Sequence, residues 1–507
     1  MAFKIGEVFR ITNRYIEIIH DKDIFSKPIS SGNGLHLVGM LNSYVSIPLY
    51  NTQQAIGIIF EQLEPSKERD TLFTPKEEYI ISKIRLIGTF NPIKNNFKKG
   101  IDYFPTLNTD VFTIEEKNLE AIYNSTIKDN TPTLNIGSDI YFPEVKINCD
   151  PNILFGKHCA VFGNTGSGKS CTVTSILQGV YCNRERLNNS SEPSLKTIII
   201  DSNDEYSEVF DELGADIVEK QGIDEIFLSH KDLKYFELTQ LLKENSPNVL
   251  PYLRTAIETL KHSRNVDDPI YYNFSDLAQA VLDAIDASTD ARNAGFIRGF
   301  CGHLVNRING FVNDERYNCI FQTAENSIVD FLNSDKKILI LSLKTANDVL
   351  SIITYQICKS IYFYKVANRT SSNLLLVLEE AHRYISNDGS DLINNYYVDK
   401  VAREGRKYGV NILVSTQRPS EVSHTVISQC NSLIVHKITN NRDLEFIRNT
   451  IEYEDKSQID LLTSLKPQQA LVLGDAFAFS SLIRIADAVP LPLSETPKIF
   501  TPISVEP

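Results

Sequence analysis

The run Gly163-Asn164-Thr165-Gly166-Ser167-Gly168-Lys169-Ser170 constrains this chain more than any other stretch. It fits the pattern G-x-x-x-x-G-K-[ST], a loop whose glycines let backbone N–H groups curl around anionic oxygens. The context is also right. His158-Cys-Ala-Val-Phe162 reads as a buried strand before the loop, and Cys171 to Leu177 as the helix after it. The helix N-terminus adds partial positive charge to the cradle. In this pattern Gly163 through Cys171 hold the nucleotide phosphates, Lys169 reaches the β- and γ-phosphates, and the Ser170 hydroxyl ligates Mg²⁺, so ATP and Mg²⁺ are the expected cofactors.

A second apolar strand, Asn373 to Leu378, ends in two carboxylates, Glu379 and Glu380. Phosphoryl transfer to water needs one acid on the metal side and another that orients the attacking water. Glu379 takes the first role in this reading and Glu380 the second. The metal-side acid is more often Asp, so the longer Glu379 must retreat to reach the same shell. A competing base follows the strand Thr197 to Ile200, where Asp201-Ser-Asn-Asp-Glu205-Tyr206 also supplies acids. The segment 400–418 holds five Lys/Arg and one acid, Glu404. In it Gln417, at the end of a strand, is placed to sense the γ-phosphate. Arg403 or Arg406 could supply a guanidinium to the transferring phosphate, an effect of about 10³ to 10⁵ in rate when delivered in trans; a solvated basic helix end is the plainer reading of both.

The 507 residues leave room for two or three domains. Short β-branched segments separated by turn signals such as Ser31-Gly-Asn-Gly34 fill residues 1–140 and predict a small β-barrel or sandwich for docking or assembly. From there strands alternate with helices. The apolar runs 158–162, 197–201, 337–343, 374–378, 411–415, 433–435 and 470–473 predict an α/β core with a parallel sheet over 141–221 and 336–489. Residues 222–335 interrupt it. Leu250, Leu253, Ile257 and Leu260, then Leu277, Val281 and Ile285 behind a Ser275 cap, keep helical spacing and predict an inserted helical subdomain. The proline-rich residues 490–507 predict an extended brace.

Eight scattered cysteines without paired spacing point to reduced thiols inside a cell, and no apolar run of about 18 residues predicts a membrane span. The net charge of −13 argues against a protein that coats itself with nucleic acid and confines any such binding to a local basic channel. The nine histidines lack metal spacing, and His382 reads as a coupling or packing residue.

In combination and in order, the segments Phe162 to Ser170, Ile200 to Tyr206, Leu378-Glu-Glu-Ala-His382, Arg403-Glu-Gly-Arg-Lys-Tyr-Gly409 and Val414-Ser-Thr-Gln-Arg-Pro-Ser420 resemble the HerA-type DNA translocases, relatives of FtsK and the conjugative coupling ATPases. The resemblance implies an N-terminal HAS-barrel, a RecA-like P-loop core, a helical insertion and a C-terminal brace. It further implies a homohexameric, cytoplasmic ring that draws double-stranded DNA through a central pore, with an arginine from the next subunit completing each site. Members of this group work with a nuclease or sirtuin-like effector docked on the barrel face, in DNA end processing or antiviral defence. A ring-shaped ATP-binding scaffold with weak hydrolysis is the competing expectation, and a small-molecule kinase a more distant one.

Overall fold

A computed structural model describes residues 2–21, 29–31, 34–36, 39–63, 79–128, 131–183, 185–187, 193–288, 291–387, 393, 395–451 and 453–493. The amino-terminal strands are β1 (Lys4–Ile11), β2 (Ile16–Asp21), a two-stranded hairpin of β3 (Ile29–Ser31) and β4 (Gly34–His36), β5 (Tyr44–Pro48), β6 (Gln54–Leu63), β7 (Tyr79–Asn91), β8 (Asn96–Lys99) and β9 (Asp110–Thr113). Six of them close a barrel in the order β2-β1-β9-β5-β6-β7, sealed by pairing of β2 with β7. The 13-residue β7 makes closure possible: its first half pairs with β2 and its last four residues with β8. The interior is small and branched, with Ile5, Val8, Ile16, Ile18, Val45, Ile47, Ile59, Ile84 and Val111 all buried. That volume suits a six-stranded barrel, whose lumen has space only for side chains.

The second sheet has eleven strands: β10 (Leu134–Asp139), β11 (Lys146–Cys149), β12 (Cys159–Phe162), β13 (Leu195–Asp201), β14 (Val218–Gly222), β15 (Ile338–Ser342), β16 (Asn373–Leu378), β17 (Val410–Thr416), β18 (Ser432–Val435), β19 (Gln469–Gly474) and β20 (Ser481–Ile485). Seven run parallel in the order β14-β15-β13-β16-β17-β12-β18. Then β19, β20, β10 and β11 continue antiparallel. The run 470–473, read as one more parallel strand, is therefore antiparallel. Its apolar character is the same because both faces of the sheet are covered there too. β10, within the first 140 residues, pairs into this sheet rather than into the barrel.

The parallel strands form because they are apolar throughout and buried on both faces; Leu374 to Leu378 are all inaccessible. Each such side chain removed from water contributes about 1.5–3 kcal/mol. One face packs on the helix Asn347–Ala367 and on the helices between β14 and β15, chiefly Tyr235–Leu241, Leu250–Lys261, Leu277–Ser288, Ala291–Asn313 and Ser327–Asn333. Leu253 and Ile257 are buried as their spacing predicts. Ser275 is not the cap: it lies in the turn Phe274–Asp276, and its hydroxyl donates to Asp276 Oδ1 at 3.2 Å. The other face packs on the helix Lys169–Tyr181 and the flank of the barrel.

Barrel and sheet are joined by a buried polar knot. Asp139, at the end of β10, accepts from Tyr123 OH at 2.7 Å, from Tyr44 OH at 3.1 Å and from the N–H groups of Tyr141 and Phe142. Phe479, between β19 and β20, stacks on Tyr123 with ring centroids 4.9 Å apart. Beyond β20 the chain crosses the helix Lys169–Tyr181. Ala486 N–H donates to Ile136 O at 2.9 Å, its carbonyl accepts from Ser175 Oγ at 2.6 Å, and Gln178 holds Val489 N–H and Pro490 O. Leu493 N–H then reaches Glu205 O at 2.9 Å. Residues 494–507 of the expected brace lie outside the described residues. All eight cysteines are free thiols, and among the described residues no helix is long and apolar enough to cross a membrane.

Candidate functional site

Because β12, β13, β16 and β17 are parallel neighbours, their carboxyl ends open on one edge of the sheet, where ligands of open α/β sheets bind. Four sequence segments meet there: 163–168 after β12, 201–206 after β13, 379–382 after β16 and 417 after β17.

The loop 163–168 needs its glycines for two reasons. Gly166 (φ 74°) and Gly168 (φ 108°) take left-handed conformations that a Cβ would strain. A Cβ on Gly163 would lie 2.5 Å from Ser167 Oγ and 2.6 Å from His436 Cβ. Asn164 donates to Thr439 Oγ1 at 2.8 Å, and its N–H to Lys437 O, which anchors the loop on the segment after β18. Lys169 and Ser170 begin the helix, whose first N–H groups have no intrahelical partner. The buried Ser167 hydroxyl is likewise unpartnered among the described residues. Glycine cradle, unsatisfied donors and a buried ammonium suit an anionic phosphate. Cys171 follows in the first turn, half-buried.

The two acids differ sharply. Glu379 is buried; its Oε2 accepts from Tyr206 OH at 2.9 Å and its Oε1 from Ser415 Oγ at 3.0 Å. Burial pushes its carboxyl up to about 8, helped by neighbouring Glu380 and opposed by Lys169. Glu380 lies in a left-handed conformation (φ 50°), rare for a non-glycine residue and a form of strain that collects at functional sites. Lys169 Nζ lies 3.6 Å from its Oε1; His382 Nδ1 and Gln417 N–H each lie 3.3 Å from its Oε2. Burial works to raise this carboxyl, but the contacts with His382, Lys169 and Gln417 outweigh it and hold it below the usual range. His382 also contacts Thr416 Oγ1 at 3.1 Å.

Gln417 links loop and acid: its side-chain oxygen accepts from Thr165 Oγ1 at 2.6 Å while its N–H faces Glu380. Asp201 caps its own loop, accepting from the N–H groups of Asn203 and Tyr206. Glu205 is nearby, with Oε2 unpartnered among the described residues. Ser170 and Glu379 offer hard oxygen donors of the kind Mg²⁺ takes. Among the described residues no group of three or more His, Cys, Asp and Glu side chains could hold a metal by itself.

The arginines are elsewhere. Both precede β17, so they lie at the amino end of the parallel strands. Arg406 Nη2 donates to Gln429 O at 2.8 Å and also reaches Lys157 O and Asn431 Oδ1, just ahead of β12 and β18. Arg403 is exposed on the helix Tyr396–Glu404. Neither meets the Gly163–Ser170 loop of its own chain.

Sequence reasoning assigned no task to Tyr206 or Ser415, although both lay inside the segments it singled out. It also passed over Arg383, which ties the loops after β13, β15 and β16 together through Ser202 O, Thr345 O and Asn347 Oδ1.

Residues 134–361 match the family described as Helicase HerA, central domain. The DNA double-strand break repair helicase HerA of Saccharolobus solfataricus is 23% identical over 472 residues, spanning 88% of this chain and 87% of its own. A probable helicase of Methanocaldococcus jannaschii is 22% identical over 436 residues, 80% of this chain and 76% of its own. The structure of VirB4 of Thermoanaerobacter pseudethanolicus shares the fold, with a TM-score of 0.50 at 17% identity over 71% of this chain and 98% of that one. By these matches the chain is similar to the HerA-type helicases over most of its length, and its residues 134–361 match their central domain.

Proposed function

We propose that the chain is one subunit of a homohexameric ring that hydrolyses ATP with Mg²⁺ to move double-stranded DNA through a central pore. The observation that carries this is the convergence of Lys169, Glu380 and Gln417 on the phosphate loop, while Arg403 is presented to solvent at the opposite edge of the sheet. Lys169 and the loop bind phosphates, Ser170 and Glu379 face Mg²⁺, and Glu380 orients the attacking water. Gln417 reads the γ-phosphate. Arg403 serves the site of the adjoining subunit, for which its distance from its own loop is the expected arrangement. A net charge of −13 is compatible with DNA held in an internal channel.

The barrel is the docking module for an effector, a nuclease or a sirtuin-like enzyme, in a cytoplasmic system of antiviral defence or DNA end processing. Its support is the apolar character of the turns at one barrel end, where Tyr50 is 83% and Ile93 76% exposed and Tyr103, Phe104 and Leu107 accompany them. The test is ATP hydrolysis with and without linear duplex DNA at low and moderate salt, alongside sizing, with Glu380→Gln as control. DNA-stimulated turnover lost in the variant is the expected result. Hexamers with negligible turnover would favour a scaffold that regulates its effector.

A further inference from the structure

Glu379 is gripped by two hydroxyls, one from the loop after β13 and one from β17. Tyr206 OH lies 2.9 Å from Oε2 and Ser415 Oγ 3.0 Å from Oε1. All three side chains are buried, Tyr206 and Ser415 completely. We infer that Tyr206 and Ser415 are positioning residues that fix the Glu379 carboxylate in one orientation toward Mg²⁺-nucleotide. This rests on the reading of Glu379 as the metal-side acid.

Three observations carry it. A glutamate has one more rotatable bond than the aspartate usual at this place, so an unrestrained Glu379 would spread over several rotamers. One hydroxyl on each oxygen removes that freedom and leaves lone pairs for a metal-bound water.

The donors are themselves immobile. Tyr206 N–H is fastened to Asp201 Oδ2 at 2.8 Å, and Ser415 lies within β17, paired with Val161 of β12. The Glu379 carbonyl is held as well, by Tyr384 OH at 2.9 Å.

Packing alone would not select these hydroxyls. Tyr206 lies among apolar side chains on the sheet face that packs on the helix Lys169–Tyr181, where phenylalanine would fill the same volume without an OH to desolvate. Groups that orient a ligand-bearing side chain behave in this way at metal sites generally.

The experiment uses the full chain with Tyr206→Phe, Ser415→Ala and Ser415→Thr. Two quantities are read: binding of a fluorescent ATP analogue in EDTA and across a Mg²⁺ titration, and the Mg²⁺ concentration giving half-maximal hydrolysis. Tyr206→Phe and Ser415→Ala should each raise the Mg²⁺ requirement about tenfold in both readouts while EDTA affinity stays within about twofold. Ser415→Thr, which keeps the hydroxyl, should restore the requirement. An unchanged Mg²⁺ requirement in folded Ser415→Ala or Tyr206→Phe overturns the inference. So does an EDTA affinity that falls in step, because that marks general damage to the pocket. Failure of the parent chain to bind the analogue with or without Mg²⁺ is a separate result, and it would strike the underlying reading of the site.

Discussion

Lys169 Nζ and Glu380 Oε1 are 3.6 Å apart in a nearly water-free corner, so the loop cation and the adjacent acid form a pair. Phosphate oxygens must compete with Glu380 for that ammonium. Glu380→Gln should therefore bind ATP as well as the parent chain or better, while hydrolysis falls about 10²-fold or more. Fluorescent-nucleotide titration and phosphate release check the two halves. Hydrolysis persisting near the parent rate would move the base elsewhere, with Glu205 the first candidate.

The two arginines should separate cleanly. Arg406 satisfies acceptors at the foot of β12 and β18, so Arg406→Ala should destabilise the fold by about 1–3 kcal/mol, read as a lower thermal midpoint. Arg403 is exposed, and Arg403→Ala should leave that midpoint nearly unchanged while slowing turnover of the assembled protein. On the proposed site shared between subunits, mixing Arg403→Ala with Lys169→Ala chains should then regain activity, since pairs of unlike chains would reunite the intact parts.

Acid should weaken the fold through four buried histidines, His20, His158, His230 and His436, of which the second and fourth flank the nucleotide-site strands. His158 accepts from Ile412 N–H at Nδ1 and contacts Ala402 O at Nε2; His436 contacts Thr172 Oγ1 and Gln469 O. Burial lowers each to about 4, with Arg406 adding to the effect at His158 and Lys169 at His436. The unfolded chain binds these protons first, so their contribution is present above pH 6.5 and lost as pH falls toward 4. Between about pH 6 and 4.5 each costs about 1.4 kcal/mol per pH unit. Glu379, raised to about 8, slopes the opposite way, so the signal is read as a difference: His436→Gln should show a shallower acid slope than the parent in denaturant titrations at several pH values.

Asp139→Ala should be among the most damaging single changes outside the nucleotide site. It strips the acceptor from two tyrosine hydroxyls and two N–H groups at once. A loss of about 3–5 kcal/mol is expected. Tyr44→Phe removes the 3.1 Å contact and the 2.8 Å contact between Tyr44 OH and Tyr123 OH but leaves Asp139 its three other donors, so it should cost less, and urea unfolding of both variants measures the contrast.

The phosphate loop was legible because its chemistry is written in eight consecutive residues, and the acids because they end an apolar run. Tyr206 and Ser415 were not, since each acts on a partner 173 and 36 positions away and only the order β13-β16-β17 brings them together. The remoteness of Arg403 and Arg406 from their own loop was readable in principle: a residue that precedes a parallel strand lies at the edge opposite one that follows it. The antiparallel end of the sheet was hidden because burial on both faces gives β19 the same apolar run as its parallel neighbours. His158 and His436 carried no signal, as their partners are backbone groups and a threonine distant in sequence.

Ala486 acts as a mechanical part. It gives its N–H to Ile136 of β10, the strand that ends at Asp139 in the barrel knot, and its carbonyl accepts from Ser175, on the helix that begins at Lys169. Barrel and phosphate loop are thus the two ends of a short stiff strut, with a single residue as its pin. A push at either end has little compliance to be absorbed in, so on the proposed function the give of a working stroke would fall to the helical insertion or to contacts between subunits.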